Sequence, residues 1–111
     1  MKTDLPREVE CPVDATLRLL SGKWRLLVLF NLEAQPLRWG ELRRRLAPIT
    51  PRVLTATLRS LEVDRMIWRE VEGTIPPQVT YGLTSKGDDL APVFKAMGKW
   101  GAEHLQESRG T

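Results

Sequence analysis

The sequence predicts a mostly helical α+β fold in one domain, because three patterns occur in an order that suits it. Leu54, Leu58 and Leu61 follow a Thr50-Pro51 pair at the spacing of one helix face. Two β-prone segments, 66–71 and 78–83, flank a turn rich in glycine and proline. Large apolar residues recur at helical spacing between residues 90 and 105. A length of 111 residues suits one core but not two.

The first two helices are predicted over residues 12–20 and 23–32, after a flexible segment at residues 1–10. In the first, Leu17 and Leu20 are expected to point inward, and a Ser-Gly pair ends the helix. The second is apolar almost all round, so we expect it at the centre of the fold. We therefore interpret Trp24 and Phe30 as core residues.

A short strand at 37–39 and a third helix at 40–46 come next, with Leu42 and Leu46 inward and arginines 43–45 mostly outside. Thr50 is a good N-cap and proline suits the first helical position, so a fourth helix starts there. Its outward face carries Arg52, Thr55, Ala56 and Arg59. Two short helices joined by a turn, the second basic and amphipathic, indicate a helix-turn-helix.

The hairpin after these helices completes the pattern of a winged helix-turn-helix, which binds a DNA duplex with its second helix and its hairpin. A last helix is predicted to begin at Thr84, an N-cap, and to run toward Arg109. Its apolar stripe packs either on the N-terminal helix or on a second subunit. We favour a two-fold dimer through these terminal helices, since a symmetric dimer reads two half-sites. The stripe consists of Leu90, Val93, Phe94, Met97, Trp100 and Leu105.

Positive charge is concentrated where the helix-turn-helix is predicted. The whole chain carries a net charge of +3, but residues 37–69 hold eight arginines against three acidic residues. Arginine outnumbers lysine twelve to five, which suits bidentate contacts with phosphate and guanine. Chance clustering of surface charges is the alternative, and the coincidence with the helix pattern argues against it.

Other classes of protein fit the composition poorly. No apolar run reaches the length of a membrane span and the N-terminus lacks a hydrophobic signal region, so a cytoplasmic location is expected. A single cysteine, Cys11, and a single histidine, His104, argue against an intrachain disulfide and a metal site. Neither a catalytic triad nor a glycine-rich phosphate loop is present, so we expect no enzyme and no cofactor.

The chain resembles the HxlR-type winged helix-turn-helix transcriptional regulators of bacteria and archaea, over about residues 11–101. The resemblance implies a homodimer on operator DNA, with the Thr50 helix in the major groove and dimer contacts from the N-terminal and last helices. The matching segments are Cys11-Pro12-Val13, Gly22-Lys23-Trp24, Arg38-Trp39-Gly40-Glu41-Leu42, Ile49-Thr50, Leu54-Thr55, Leu58-Arg59-Ser60-Leu61-Glu62 and residues 76–84.

The wing departs from the family pattern. Members often carry a basic residue after the paired prolines, where this chain has Gln78, and the wing also contains Glu70 and Glu72. An acidic wing should make fewer phosphate contacts. We therefore expect the Thr50 helix and the Arg43–Arg45 cluster to supply most of the affinity for DNA.

Seven residues are candidates for DNA contact, with a solvated helix surface as the alternative for each. Arg52 and Arg59 suit base or phosphate contacts, because arginine can span the O6 and N7 atoms of guanine. Thr50 and Thr55 suit phosphate or base edges, although Thr50 also serves as N-cap. The remaining three, expected to clamp phosphates, are Arg38, Arg43 and Arg44.

Cys11 is a candidate redox or electrophile sensor, because the start of a helix favours a thiolate. The resemblance supports this, since some family members sense oxidants through a cysteine at this position. Plain packing is the favoured alternative, because Glu8, Glu10 and Asp14 oppose a thiolate.

The sequence thus predicts a dimeric, sequence-specific transcriptional regulator, repressor or activator. The alternative is a winged-helix module that binds proteins and no DNA, which should expose apolar anchors on the Thr50 helix. A candidate pocket for a small-molecule effector lies near Trp24, Phe94 and Trp100, for which packing is the favoured interpretation.

Overall fold

The computed structural model describes residues 11–105, so the predicted flexible segment at 1–10 lies outside the described residues. Within this range, helices alternate with a small sheet in the predicted order, and the α+β fold class is confirmed. The helices are α1 (Pro12–Leu19), α2 (Lys23–Asn31), α3 (Trp39–Arg45), α4 (Pro51–Val63), α5 (Ser85–Asp88) and α6 (Ala91–His104). The strands are β1 (Leu37–Arg38), β2 (Ile67–Glu72) and β3 (Gln78–Leu83).

The core lies where α2, α3 and α4 meet the sheet. The predicted inward face of α4 is confirmed, since Leu54, Leu58 and Leu61 are fully or almost fully buried. Leu42 and Leu46 of α3 are buried as predicted. Each buried leucine contributes about 1.5–3 kcal/mol relative to exposure, so these five leucines are a main source of the stability of the core.

The sheet is antiparallel, with β3 between β1 and β2. Trp68 lies opposite Gly82 in the β2–β3 ladder, and a Cβ atom at Gly82 would lie only 2.1 Å from the Cζ2 atom of the indole ring. Glycine is therefore required here by the close approach of Trp68 rather than by its backbone angles. This cross-strand contact packs β2 against β3 at the base of the hairpin.

Both ends of α4 are closed by specific hydrogen bonds. The Thr50 hydroxyl accepts from the Val53 backbone N–H at 3.2 Å, which confirms the predicted N-cap. At the other end, the Met66 N–H donates to the Leu61 carbonyl and the Arg65 N–H to the Glu62 carbonyl. This is a Schellman motif, and its left-handed position holds Arg65 with φ 61° where glycine is usual.

A single arginine joins three helical elements. The Arg25 guanidinium of α2 donates to the Leu19 carbonyl at 2.7 Å, to the Ser60 hydroxyl, and to the Asp64 carboxylate at 2.6 Å. Its side chain is only 15% exposed. Arg25 therefore ties the end of α1 to the C-terminal half of α4.

The prediction of one continuous last helix is wrong. Thr84 does cap a helix, since its hydroxyl accepts from the Gly87 N–H at 3.2 Å, but that helix, α5, ends at Asp88. A separate helix, α6, starts at Ala91 with Pro92 in its first turn. Proline has no N–H and its ring collides with a preceding helical turn, so α5 cannot continue through this position.

Two residues predicted to be core are exposed in the single chain. Leu17 is 64% exposed, and the described part of α1 buries no residue. Phe30 is 52% exposed, and Val28 and Leu29 are the residues of α2 that are buried. Phe30 is exposed because α3 and α4 pack on one side of α2 and leave its other side open, and Leu17 is exposed because α1 lies outside the core. Both predictions are therefore wrong for the single chain.

Candidate nucleic-acid interface

The exposed side of α4 presents the predicted polar and cationic residues. Arg52, Ala56 and Arg59 are exposed, while Thr55 is half-buried between them. The opposite side holds the buried leucines, so helical geometry forces these residues outward. Arg43, Arg44 and Arg45 of α3 are exposed as well. The helix-turn-helix thus carries its cations on the surface.

Most of these arginines form no ion pair with other described residues of the protein. Within residues 11–105, no ion pair is formed by Arg52 or Arg59 of α4, nor by the three arginines of α3. An external anion can therefore bind them without breaking an internal salt bridge. Adjacent unpaired cations also raise the local potential and attract a polyanion.

Arg38 is the exception among the predicted site residues. Its guanidinium lies 3.5 Å from the Glu72 carboxylate of the wing, and both side chains are about half exposed. Its backbone N–H donates to the Glu41 carboxylate at 3.0 Å. An exposed ion pair of this kind contributes about 0–1 kcal/mol. The contact links α3 to the wing but would exchange readily for a phosphate.

A cavity of about 770 Å³ brings Arg38 and Arg44 together at the junction of α3 and the wing. Trp39 and Gln78 also line it. The Gln78 Oε1 atom is buried without a hydrogen-bond partner among the described residues. The neutral side chain at this wing position is therefore directed toward α3.

A smaller concavity, of about 300 Å³, separates α4 from the sheet. Thr55 and Arg59 line it from α4, together with Glu62, and Arg69 and Tyr81 line it from the sheet. Arg69 is not among the predicted site residues, although it lines this concavity. The strand register places it opposite Tyr81, and alternation along the strand could have indicated that it faces α4.

The hydroxyl of Thr50 is already engaged by the Val53 N–H. The structure therefore groups the seven predicted residues unequally. Among residues 11–105, Arg43 and Arg52 form no ion pair, Arg38 and Arg44 share a cavity, and Thr55 and Arg59 line the α4–sheet concavity.

Cys11 is exposed and occupies the N-cap position of α1. No hydrogen bond from its side chain caps the helix. The first-turn residue Asp14 pairs with Arg18 at 3.4 Å. The thiol is thus accessible to solvent. The nearby Asp14 carboxylate is partly neutralised by Arg18.

The three aromatic residues near the candidate effector pocket each have a packing partner. Phe94 is buried edge-on against Phe30, with ring centroids 5.6 Å apart. Trp100 stacks on His104 of its own helix at 4.7 Å. The Lys23 ammonium lies 4.7 Å from the Trp24 ring. Packing accounts for Phe94, whereas Trp100 remains 56% exposed, and the effector pocket stays a prediction.

The fold and this surface agree with the family that the sequence resembles. The family model of HxlR-like helix-turn-helix proteins matches residues 19–109. This chain belongs to the HxlR-like helix-turn-helix family. The members it matches are transcriptional regulators of helix-turn-helix type, so the same class holds for this protein.

Three similar proteins illustrate the extent of the match. An uncharacterised helix-turn-helix-type regulator of Methanothermobacter thermautotrophicus is 44% identical over 94 residues, covering 85% of this chain and 72% of that protein. A solved structure from Porphyromonas gingivalis W83, assigned to the MarR family of transcriptional regulators, is 32% identical with a TM-score of 0.83. That match covers 91% of this chain and 99% of the other. The redox regulator HypR in its reduced form is 38% identical with a TM-score of 0.81, covering 88% and 99% respectively.

Two further observations concern residues 11–105 alone. No helix in this range is both long enough and apolar enough to cross a membrane. No group of three or more histidine, cysteine, aspartate or glutamate side chains in this range is arranged to hold a metal ion.

Proposed function

We propose that this protein is a homodimeric, sequence-specific DNA-binding regulator that inserts α4 into the major groove. The observation that carries the proposal is the exposed face of α4, where Arg52 and Arg59 have no ion-pair partner among the described residues. A helix that exposes arginines without internal ion pairs on one face suits guanine and phosphate contacts. Arg38, Arg43, Arg44, Thr50 and Thr55 complete the proposed contact set around it.

The proposed dimer rests on an apolar groove between the terminal helices. Val13 and Leu17 of α1, spaced by four residues, face a groove that Val93 and Met97 of α6 also line. All four side chains are at least 40% exposed in the single chain. Contiguous exposed apolar surface of this kind marks an interface. A second copy would cover it and set the spacing of the two α4 helices.

Oligomeric state tests the dimer directly. Leu17→Glu or Met97→Glu should convert a dimer into monomers in analytical ultracentrifugation, because a charge would be buried in the interface. Ile75→Glu serves as the control, since Ile75 is 99% exposed at the hairpin turn and should leave the dimer intact. Wild-type protein that sediments as a monomer at micromolar concentration would refute the dimer.

DNA binding is tested by selection from fragmented genomic DNA, followed by titration of the selected duplex at several salt concentrations. Binding should weaken steeply with salt, because each neutralised phosphate contributes a slope of about −0.9 in log K against log salt. The double variant Arg52→Ala/Arg59→Ala should lose this binding and keep its circular dichroism spectrum. A wild-type protein that selects no DNA would support the protein-interaction module instead.

We further propose that Cys11 makes DNA binding sensitive to oxidants or electrophiles. Its thiol is exposed at the start of α1, whose next residues line the proposed dimer groove. Alkylation or oxidation there would alter the dimer helices, and the similar protein HypR is described as a redox regulator. Diamide should weaken operator binding by the wild type but not by Cys11→Ser, and dithiothreitol should restore it. Equal behaviour of both proteins would remove the sensor and keep the regulator.

A further inference from the structure

The small concavity between α4 and the sheet contains an unusual pairing of like charges. Arg59 reaches it from α4 and Arg69 from β2, with Glu62 and Thr55 beside them. Tyr81, only 7% exposed, lies beneath as part of the sheet. The concavity therefore has an aromatic base and a rim that carries two positive charges and one negative charge.

The register of the hairpin explains why Arg69 lies here rather than at the wing tip. Ile67 pairs with Leu83 and Arg69 pairs with Tyr81, so these residues share one face of the sheet. Ile67 is buried in the core on that face. Arg69 is the next residue outward on the same face, which places its side chain beside α4.

Neither arginine has a counterion in the part of the chain that the structure describes. No ion pair within 4 Å involves Arg59 or Arg69 among residues 11–105, even though Glu62 lines the same concavity. Two guanidinium groups that face one site repel each other unless an anion lies between them. A phosphodiester is singly charged and accepts hydrogen bonds from two arginines at once.

We propose that Arg59 and Arg69 form a seat for one backbone phosphate in each half-site, and that Glu62 weakens this contact. The proposal rests on the proposed function, because it assumes that α4 enters the major groove.

Arg59 lies on the same face of α4 as Arg52 but seven residues, or about two helical turns, further toward the C-terminus, where α4 faces Arg69 of the sheet. The N-terminal residues of a recognition helix are the ones that contact base edges. We therefore assign the seat to the sugar–phosphate backbone beside the groove. The wing therefore contributes to DNA affinity through Arg69 in β2, and the part of the wing that carries Glu70 and Glu72 contributes little.

The test measures binding of the full-length protein to two duplexes of equal length, one selected by the wild type and one of random sequence, across a salt series. Arg69→Gln should weaken both by the same factor, about three- to tenfold. It should also reduce the salt slope by about 0.9 for each seat, or about 2 for a dimer. Lys99→Gln on α6 makes the same change in net charge away from the seat and is the control.

Two further variants sharpen the assignment. Arg59→Gln combined with Arg69→Gln should cost less than the product of the two single losses, because both side chains hold one phosphate. Glu62→Gln should strengthen binding to both duplexes, since a negative charge beside the phosphate is removed. Glu70→Gln is its control, because Glu70 points to the other face of the hairpin, opposite Thr80.

The possible outcomes distinguish failure of the proposed phosphate seat from failure of the proposed DNA-binding function. If Arg69→Gln matches Lys99→Gln in both affinity and slope while the wild type binds the selected duplex, the seat is refuted and the regulator stands. If Arg69→Gln weakens only the selected duplex, Arg69 reads a base and the phosphate assignment is wrong. If the wild type binds neither duplex, the proposed function fails and the seat fails with it.

Discussion

The Arg25 cluster offers the most direct link between the packing of this protein and its stability. Replacing Arg25 with methionine keeps the apolar stem and removes three hydrogen bonds, to the Leu19 carbonyl, the Ser60 hydroxyl and the Asp64 carboxylate. Hydrogen bonds that involve a charged group contribute about 1.5–3 kcal/mol each when buried. Here Asp64 is 38% exposed, so water replaces part of the lost interaction and the charge contribution is discounted. We expect Arg25→Met to lower the free energy of unfolding by about 2–3 kcal/mol.

Arg25 is more deeply buried than Asp64, and this difference gives a second expectation. The Arg25 side chain is 15% exposed and holds two partners besides Asp64, so Asp64→Asn should cost less, about 1 kcal/mol. Urea unfolding followed by tryptophan fluorescence measures both values, at one fixed protomer concentration because dimerisation would shift the midpoint. A loss below about 0.5 kcal/mol for Arg25→Met, or an equal loss for both variants, would refute this reasoning.

Three further predictions concern backbone geometry and capping. Gly82→Ala should destabilise the fold by about 1–3 kcal/mol through overpacking against Trp68, and Trp68→Leu in the same chain should recover part of that loss in thermal unfolding. Arg65→Gly should raise stability by about 0.5–1 kcal/mol, because φ is 61° at this position, whereas Arg65→Ala should give no gain. Thr50→Ala should cost about 1 kcal/mol by removing the bond to the Val53 N–H, and Thr50→Ser, which retains the hydroxyl, should cost almost nothing.

Local signals predicted most of the fold. The Thr50-Pro51 start, the leucine spacing of α4 and the turn-flanked strands each depend on neighbours within a few residues, and the structure confirms them. Pro92 also carried a local signal for the break between α5 and α6, but the longer apolar stripe outweighed it in the prediction. Sequence periodicity shows which face of a segment is apolar, and it does not show whether the segment is continuous.

Other features depend on contacts between residues far apart in the chain and could not be predicted from local patterns. Arg25 meets Ser60 and Asp64 across 35 and 39 positions. The concavity that contains Arg69 requires both the strand register and the placement of α4. The exposure of Leu17 and Phe30 depends on whether a second chain is present, which no pattern within one sequence determines.

Internal pairing gives a physical basis for ranking the arginines of this protein as proposed DNA contacts. Arg25 has three protein partners and is buried, so an external phosphate would have to displace a complete set of hydrogen bonds. Arg38 has one weak, exposed partner in Glu72, so it is available at small cost. Arg52, Arg59 and Arg69 have no internal ion pair among the described residues, so a phosphate adds interactions to them without breaking any. Substitution of Arg52, Arg59 or Arg69 should therefore reduce the affinity for DNA most, substitution of Arg38 should reduce it less, and substitution of Arg25 should reduce it least. Nearness to the wing tip in the sequence does not set this order.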